Sequence, residues 1–238
     1  MQDAGVDDLP SMSPWRTVTR WLLVLCVGVF VLDMILSTAG VYRTLSQSDG
    51  TPIITRGADG VAKRIAYPLL ASYGYFSIDT AIVGKQVWRF FTYQFCHANI
   101  THILVNMMAL LLAGPIVEER LGRAKYLGFY LVCGAAGPVG HMLLSHFGVL
   151  SMNHFTPLVG ASASIYGVMV ASARIAPNEM VMLALPPIDV KLKTLVLVLV
   201  GLSAVAVLWH WDNAGGHAAH LGGAFAGWWL ARRMVDRH

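Results

Sequence analysis

Ser162 and His220 are the two residues whose types most directly suggest chemistry. Ser162 lies in Gly-Ala-Ser-Ala-Ser (160–164), a polar, small-residue interruption at the start of an apolar stretch of helix length, and His220 lies near the start of a later one. A serine hydroxyl is a poor nucleophile at neutral pH unless a base within about 2.6–3.2 Å takes its proton, and histidine has a suitable pKa. The pair predicts a nucleophile and a general base that work inside a membrane.

His102 and Asn106 lie at the start of a third apolar stretch. They are four residues apart, as are Ser162 and Tyr166, so each pair projects from one face of a helix. Polar side chains are costly in hydrocarbon, and a group of them at one depth indicates a water-accessible site. We expect these side chains and His220 to line one cavity.

The composition indicates an integral membrane protein. Of the 238 residues, 56% are hydrophobic and 13% are charged, which is more apolar surface than one soluble core can hide. The net charge of +4 does not predict a nucleic-acid partner, because the basic residues lie mostly at the ends of apolar segments, where they orient a chain in the lipid bilayer. The three cysteines have no pair spacing and predict neither a disulfide framework nor a thiolate zinc site.

The apolar segments predict an all-α polytopic membrane protein, a bundle of six transmembrane helices. Residues 1–15 are expected to form a short N-terminal tail, since they contain no basic region typical of a signal or transit peptide. Residues 16–238 then form one domain, in which the long connection at 39–97 lies in the membrane interface. The predicted spans are about 21–38, 98–117, 126–144, 158–173, 192–209 and 217–230.

The distribution of basic residues predicts the orientation of this bundle. With six spans both termini lie on one side, together with eleven of the 17 Lys and Arg residues, while the other six all lie in the long first connection. The positive-inside rule therefore places the termini in the cytoplasm. The second, fourth and sixth spans then run inwards, and their early polar residues share a depth near the extracytoplasmic face.

Small residues recur on the fourth and sixth predicted spans. Such patterns let two membrane helices approach closely, and a hydrogen bond between Ser162 and His220 needs a close approach. These residues are Gly160, Ala161, Ala163 and Gly167 on the fourth span and Gly222, Gly223 and Gly227 on the sixth.

Further motifs accompany these residues in a fixed order along the chain. They are Trp88-Arg89, His97, His-Ile-Leu-Val-Asn at 102–106, Gly114 with Glu118 and Gly122, Gly160-Ala161-Ser162, Tyr166-Gly167, and Ala219-His220-Leu221-Gly222-Gly223 with Gly227. With these elements the chain resembles the rhomboid family of intramembrane serine proteases, from about Trp21 to Arg233.

The resemblance implies a serine-type endopeptidase with a Ser–His dyad and no third acid. Ser162 would be the nucleophile and His220 the general base, and an oxyanion hole would be formed by the side chains of His102 and Asn106 and the backbone N–H of Ser162. Donors preorganised in a pocket of low dielectric constant stabilise a tetrahedral oxyanion by a few kcal/mol. No cofactor and no metal is implied.

Supporting roles and substrates follow from the same resemblance. Tyr166 would pack against the ring of His220, and Gly160 would leave room for the substrate backbone. Trp88-Arg89 is similar to a structural motif of the family, and Glu118 to an acid that ties helices together at the cytoplasmic end. The implied substrates are transmembrane segments of other proteins, locally unwound and cleaved near the extracytoplasmic face, with small residues at the cleavage site.

Three residues need an interpretation of their own. Ala163 stands where a glycine often follows the family's serine, and activity is still expected because the motif tolerates small residues there. Ser164 points about 200° round the helix from Ser162, and packing or a bond to its own helix is expected. Asp33 interrupts the first span, and a hydrogen bond to a neighbouring helix is favoured over a catalytic role.

Two other functions stay open at this stage. An inactive rhomboid-like protein that binds transmembrane clients would keep the fold, although such proteins usually lack the serine or the histidine. A metal site or metal transporter is suggested by His217 and His220, three residues apart on one helix face, together with His97, His102, His141 and His210. The spans, however, offer almost no carboxylate or thiolate partners near these histidines. His97 and His217 are interpreted as residues that surround the site. We expect a multi-pass protein of a prokaryotic plasma (inner) membrane, because neither a targeting segment nor a large soluble domain is evident.

Overall fold

The computed structural model describes residues 17–56, 62–151, 154–184 and 187–234, and most of them are helical. The predicted tail at 1–15 lies outside the described residues. A π-helical turn (Asp79–Val83) and a 3-10 turn (Tyr93–Phe95) also occur. The helices are α1 (Val18–Thr38), α2 (Leu69–Gly74), α3 (Arg89–Thr92), α4 (Ile100–Leu121), α5 (Arg123–His146), α6 (Ser162–Ile175), α7 (Leu192–Leu208) and α8 (Ala214–Met234).

Short antiparallel strand pairs occupy two of the connections. They are β1 (Tyr42–Thr44) with β4 (Ala66–Pro68), β2 (Ile54–Arg56) with β3 (Ala62–Arg64), and β5 (Met180–Ala184) with β6 (Pro187–Lys191). Helices dominate the fold, as predicted, and these short strand pairs are additional elements that the sequence did not predict. Strands of three to five residues are too short for a periodic pattern to be recognised from sequence.

Three helices have the length and hydropathy that a membrane crossing requires. Among the described residues they are α1, α4 and α5, while α7 is also apolar but has 17 residues. Large apolar side chains such as Trp21, Leu104 and Val132 are exposed on their surfaces, as expected where lipid replaces water. The chain is therefore a multi-pass membrane protein, and the number of six crossings stays a prediction.

Helix α6 has a central position in the bundle. It packs against α4, α5, α7 and α8, and many of its residues are small and fully buried. The largest contacts of the bundle join α8 to α5 and to α6. Small side chains on α6 and α8 allow this arrangement because they let the helix backbones come close together.

Glu118 of α4 binds the first turn of α1. Its carboxylate accepts hydrogen bonds from the backbone N–H of Val18 at 2.6 Å, and from the N–H and hydroxyl of Thr19 at 2.9 and 2.7 Å. The first N–H groups of a helix have no acceptor within the helix, and the positive end of the helix dipole favours an anion there. Glu118 thereby joins α1 to α4, and it is itself buried.

Asp33 makes a similar connection at the other end of α1. Its carboxylate accepts hydrogen bonds from the N–H of Leu70 at 2.7 Å and of Ala71 at 2.8 Å, in the first turn of α2. The two hydrogen bonds compensate for the burial of this carboxylate, so a structural role is enough to explain Asp33. The connection between α1 and α4 is thus fixed to the end of α1.

Arg89 organises the second half of this connection. Its buried guanidinium donates hydrogen bonds to the carbonyls of Ser72 and Tyr75 and to the side chain of Gln86, whereas Trp88 is exposed. Burial lowers the pKa of Arg89 from its ordinary value. Arg89 links α2 to α3 and so fixes the segment that leads to α4.

The helix with Ser162 begins later than the predicted span at 158. Leu158 instead pairs with Phe76, their backbones exchanging hydrogen bonds of 2.7 and 3.0 Å. The N–H of Gly160 donates to the carbonyl of Tyr93 at 2.9 Å. These contacts bind Leu158 and Gly160 to the connection before α4, and Ser162 is the first residue of α6.

Candidate active site

The hydroxyl of Ser162 lies 2.8 Å from Nε2 of His220. Ser162 begins α6 and His220 lies in the second turn of α8, and both side chains are half-buried. The distance is that of a hydrogen bond, and it falls within the range in which a base takes a proton from a hydroxyl.

Glycines bring these two helices together. A Cβ atom at Gly223 would overlap the backbone carbonyl of Ala163, and one at Gly227 would overlap the backbone of Gly167. A Cβ at Gly167 would in turn lie 2.5 Å from the sulfur of Cys133 on α5. Only glycine fits at these positions, because the helices meet backbone against backbone.

Tyr166 stacks on the ring of His220. The ring centroids are 4.3 Å apart and the planes differ by 15°. Tyr166 lies one turn after Ser162 on α6, so it covers one face of the imidazole while the edge with Nε2 faces the serine. The ring of His220 is thereby held in one plane.

His102 and Asn106 lie one turn apart on α4. The N–H of Ala98 points at Nδ1 of His102 over a long distance of 3.5 Å, and this contact leaves Nε2 as the N–H donor of a neutral ring. Asn106 donates one N–H of its amide to the backbone carbonyl of His102 at 3.0 Å. An amide nitrogen has two N–H groups, so the second can serve a bound molecule.

Gly160 separates His102 from the serine. Its φ of +125° lies in the region that favours glycine. A Cβ atom here would also lie 2.7 Å from Nε2 and Cε1 of the His102 ring. Both the backbone conformation and the available space therefore require glycine at this position.

The backbone N–H of Ser162 belongs to the first turn of α6. Such groups have no acceptor within the helix and lie at the positive end of its dipole. This N–H can therefore donate to an oxygen with developing negative charge, as an oxyanion hole requires.

A cavity of about 510 Å³ contains these groups. Its lining includes Ser162, His220, His102 and Asn106, together with apolar residues of α4, α6 and α7. The cavity is large enough to hold a short stretch of polypeptide. All four side chains that the sequence singled out are therefore brought to one cavity, with Tyr166 in its lining as well.

Ser164 lies outside this cavity. It is fully buried, and its hydroxyl donates a hydrogen bond to Oε1 of Gln94 at 2.8 Å. The amide nitrogen of Gln94 donates to the carbonyl of Phe90 at 3.1 Å. Ser164 therefore joins α6 to the segment that precedes α4, through a side chain rather than through its own helix.

His97 packs beside the cavity. Its ring meets that of His102 at a centroid distance of 5.3 Å, and within the described part of the chain neither of its nitrogens has a hydrogen-bond partner. Burial, and to a lesser extent the neighbouring His102, lowers the pKa of His97 to about 4. His97 is therefore neutral near pH 7.

The family model of the rhomboid domain matches residues 84–237, which include every residue of this cavity except Tyr67. The chain belongs to the rhomboid family.

Several curated relatives of this rhomboid carry the family name. RHOMBOID-like protein 1 of Arabidopsis thaliana is 28% identical over 161 residues, which are 68% of this chain and 38% of that protein. Rhomboid protease GluP of Bacillus subtilis is 28% identical over 156 residues, or 66% of this chain and 28% of that protein. Presenilin-associated rhomboid-like protein A of Danio rerio is 31% identical over 137 residues, which are 57% of this chain and 34% of that protein. The matched part thus spans about a third of these longer relatives.

The arrangement of the described histidines of this rhomboid bears on the alternative of a metal site. Within the described ranges, no three side chains of His, Cys, Asp or Glu are grouped so that they could hold an ion. His217 instead contacts the ring edge of His220 and the hydroxyl of Ser203, at a ring-centroid distance of 5.3 Å and an Nδ1–Oγ distance of 3.2 Å.

Sequence reasoning missed Gln94 and Ser203, two residues near the site of this rhomboid. Ser203 lies on α7 and contacts both His217 and His220. It is the one hydroxyl in the apolar stretch 195–208, and an isolated polar side chain in a membrane segment is a signal that could have identified it. Gln94 lies in a polar connection and carries no comparable signal.

Proposed function

We propose that this rhomboid is an intramembrane serine endopeptidase that cleaves peptide bonds in or near the transmembrane segments of other proteins. The observation that carries the proposal is the 2.8 Å contact between the hydroxyl of Ser162 and Nε2 of His220, in a cavity that also contains His102 and Asn106. The relative from Bacillus subtilis is named a rhomboid protease, which agrees with the proposal.

The reaction would proceed through an acyl-enzyme. Nε2 of His220 takes the proton of Ser162 as the oxygen attacks the scissile carbonyl, and His102, Asn106 and the N–H of Ser162 donate to the oxyanion. His220 then gives the proton to the leaving amine as the C–N bond breaks. In the second half, His220 takes a proton from water, the resulting hydroxide attacks the ester, and the proton returns to Ser162.

The length of α6 supports a site below the membrane surface. Its 14 residues extend over about 21 Å, against roughly 30 Å of hydrocarbon. If its cytoplasmic end lies level with those of its neighbours, Ser162 lies about 9 Å inside the hydrocarbon region. A substrate helix would have to unwind there, because its carbonyls are otherwise bonded within the helix.

The proposal includes the topology expected from the sequence. Residues 16–238 would form one domain with six crossings, formed by α1 and α4 to α8, and with both termini in the cytoplasm of a plasma (inner) membrane. The catalytic cavity would then open near the extracytoplasmic face. Transmembrane proteins and the lipid bilayer would be its partners.

The test is intact-mass analysis after incubation with a fluorophosphonate probe, followed by cleavage of a reconstituted single-span substrate. Wild type should gain the mass of one probe, and Ser162→Ala should gain none and should not cleave. His220→Ala should abolish cleavage while leaving the protein folded. Absence of both labelling and cleavage in a folded wild type would favour an inactive, client-binding protein.

A further inference from the structure

Ser203 of α7 faces the second nitrogen of the proposed base. Its hydroxyl lies 3.5 Å from Nδ1 of His220, on the ring edge away from Ser162, and its side chain is fully buried. The same oxygen lies 3.2 Å from Nδ1 of His217 and 3.1 Å from the hydroxyl of Tyr166. One serine therefore meets three side chains that surround or belong to the site.

The direction of these hydrogen bonds can be worked out from the number of protons. Ser203 has one hydroxyl proton, which it donates to the oxygen of Tyr166, and Tyr166 donates its own proton to the carbonyl of Leu199 at 3.4 Å. The lone pairs of the Ser203 oxygen then remain as acceptors. A ring nitrogen that faces this oxygen must be the one that carries a proton.

We infer that Ser203 is a positioning residue that holds His220 in the tautomer with a proton on Nδ1. In a neutral imidazole a proton on Nδ1 leaves a lone pair on Nε2, the nitrogen that faces Ser162. Ser203 thus does through a hydroxyl what a carboxylate does in a serine protease triad. The inference rests on the proposed function, since it assigns His220 the part of a base.

The role continues after proton transfer. When His220 has taken the proton of Ser162, both ring nitrogens are donors, and the lone pair of Ser203 still accepts from Nδ1. No proton passes to Ser203, which stays a neutral acceptor throughout. Contacts of this kind are often long without substrate and shorten in the reacting complex.

A purely structural role would look different. Ser172 of α6 is equally buried, and its hydroxyl donates to the carbonyl of Met169 in its own helix at 2.8 Å. Among the described contacts, Ser203 makes its hydrogen bonds with side chains of α6 and α8. Ser172→Ala is therefore the matched control for Ser203→Ala.

The decisive experiment reads the His220 tautomer by nitrogen-15 NMR of histidine-labelled protein, with the signal assigned by its loss in His220→Gln. Wild type and Ser172→Ala should carry the proton on Nδ1, and Ser203→Ala should shift population to the Nε2–H form. A wild-type proton on Nε2 would overturn the inference, whether or not Ser203→Ala folds.

Kinetics give the second readout. Ser203→Ala should lower kcat and the rate of fluorophosphonate labelling roughly 10- to 100-fold with KM within about twofold, and Ser203→Thr, which keeps the hydroxyl, should recover most of the rate. Equal rates for a folded Ser203→Ala and wild type would overturn the inference. Absence of both labelling and cleavage in a folded wild type would instead overturn the proposed function, and the tautomer of His220 would still show whether Ser203 holds the proton on Nδ1.

Discussion

The hydroxyl of Ser164 donates a hydrogen bond to Oε1 of Gln94 at 2.8 Å, so this serine faces away from His220 although it lies only two residues after Ser162. Ser164→Ala should therefore keep fluorophosphonate labelling and lose stability by about 1–3 kcal/mol, because the oxygen of Gln94 loses its donor in a buried place. Labelling by intact mass and thermal unfolding in detergent measure the two effects. Loss of labelling in a folded Ser164→Ala would mean that the wrong serine was chosen.

Removal of one proposed oxyanion donor should act on the chemical step. Asn106→Ala should lower kcat by roughly 10²–10³-fold, the size seen for one donor in a soluble serine protease, with little change in KM. Asn106→Asp keeps the shape, removes the N–H donor and adds a carboxylate that repels the oxyanion, so it should be at least as slow. Steady-state cleavage of a reconstituted substrate measures both constants, and an effect confined to KM would contradict the oxyanion role.

Gly160→Ala should abolish labelling and cleavage. An alanine here would have to adopt a φ of +125°, and backbone strain of this kind alone costs about 1–3 kcal/mol. Its Cβ atom would also lie 2.7 Å from the ring of His102. The control is Gly201→Ala on α7, where a Cβ atom meets nothing within 4 Å. That variant should be fully active and as stable as wild type or up to about 1 kcal/mol more stable. Equal activity of the two variants would refute the steric argument.

Glu118→Gln should destabilise the protein without touching the cavity. One carboxylate oxygen becomes an N–H donor, so at least one of the donors on Val18 and Thr19 loses its acceptor, at a cost of about 1–3 kcal/mol. The exposed neighbour offers a matched control, since Glu119→Gln should leave the unfolding temperature unchanged. The same shift in both variants would argue against the connection of α1 to α4 through Glu118.

Acid should weaken the fold through His97. Because the pKa of His97 is lowered to about 4 and that of an unfolded histidine is about 6.5, the unfolded chain binds this proton more readily. Its contribution to the free energy of unfolding is complete above pH 6.5 and is lost as the pH falls towards 4, by about 2 kcal/mol at pH 5.

Thermal unfolding at pH 7 and pH 5 measures this effect. His97→Phe keeps a ring at the site and should lose less stability than wild type between the two values. His102 is the titratable group in ring contact with His97, and it is present in both proteins. Parallel pH dependence in the two proteins would show that His97 is not the group responsible.

The grouping of side chains around the cavity could be predicted because helical spacing and span direction are both visible in sequence. His102 with Asn106, and Ser162 with Tyr166, each share a helix face, and alternate spans in a membrane bring such pairs to one depth. The catalytic roles of these residues stay predictions. The contacts of Ser203 and Gln94 could not be predicted from the sequence, since each is a single polar residue whose partners lie on other elements.

The same limit applies to the connection between α1 and α4. Its strand pairs depend on backbone contacts, and its attachment depends on Asp33 and Arg89, whose acceptors and donors are backbone groups 14 to 38 residues away. Such pairings have no periodic pattern in the sequence. The later start of α6 has the same cause, because the pairing of Leu158 with Phe76 is a long-range contact.

The backbones of α6 and α8 are in direct contact at Gly167 and Gly227, which bears on how the bundle responds to the thickness of the bilayer. At these glycines no side chain separates the two helix backbones, so no rotamer change there can alter their distance when the bilayer becomes thinner or thicker. Lipid composition should then change how easily a substrate reaches the cavity and leave the distance from Ser162 to His220 as it is. If this rhomboid has the proposed peptidase activity, its rate in bilayers of different thickness should vary through substrate entry and not through the chemical step.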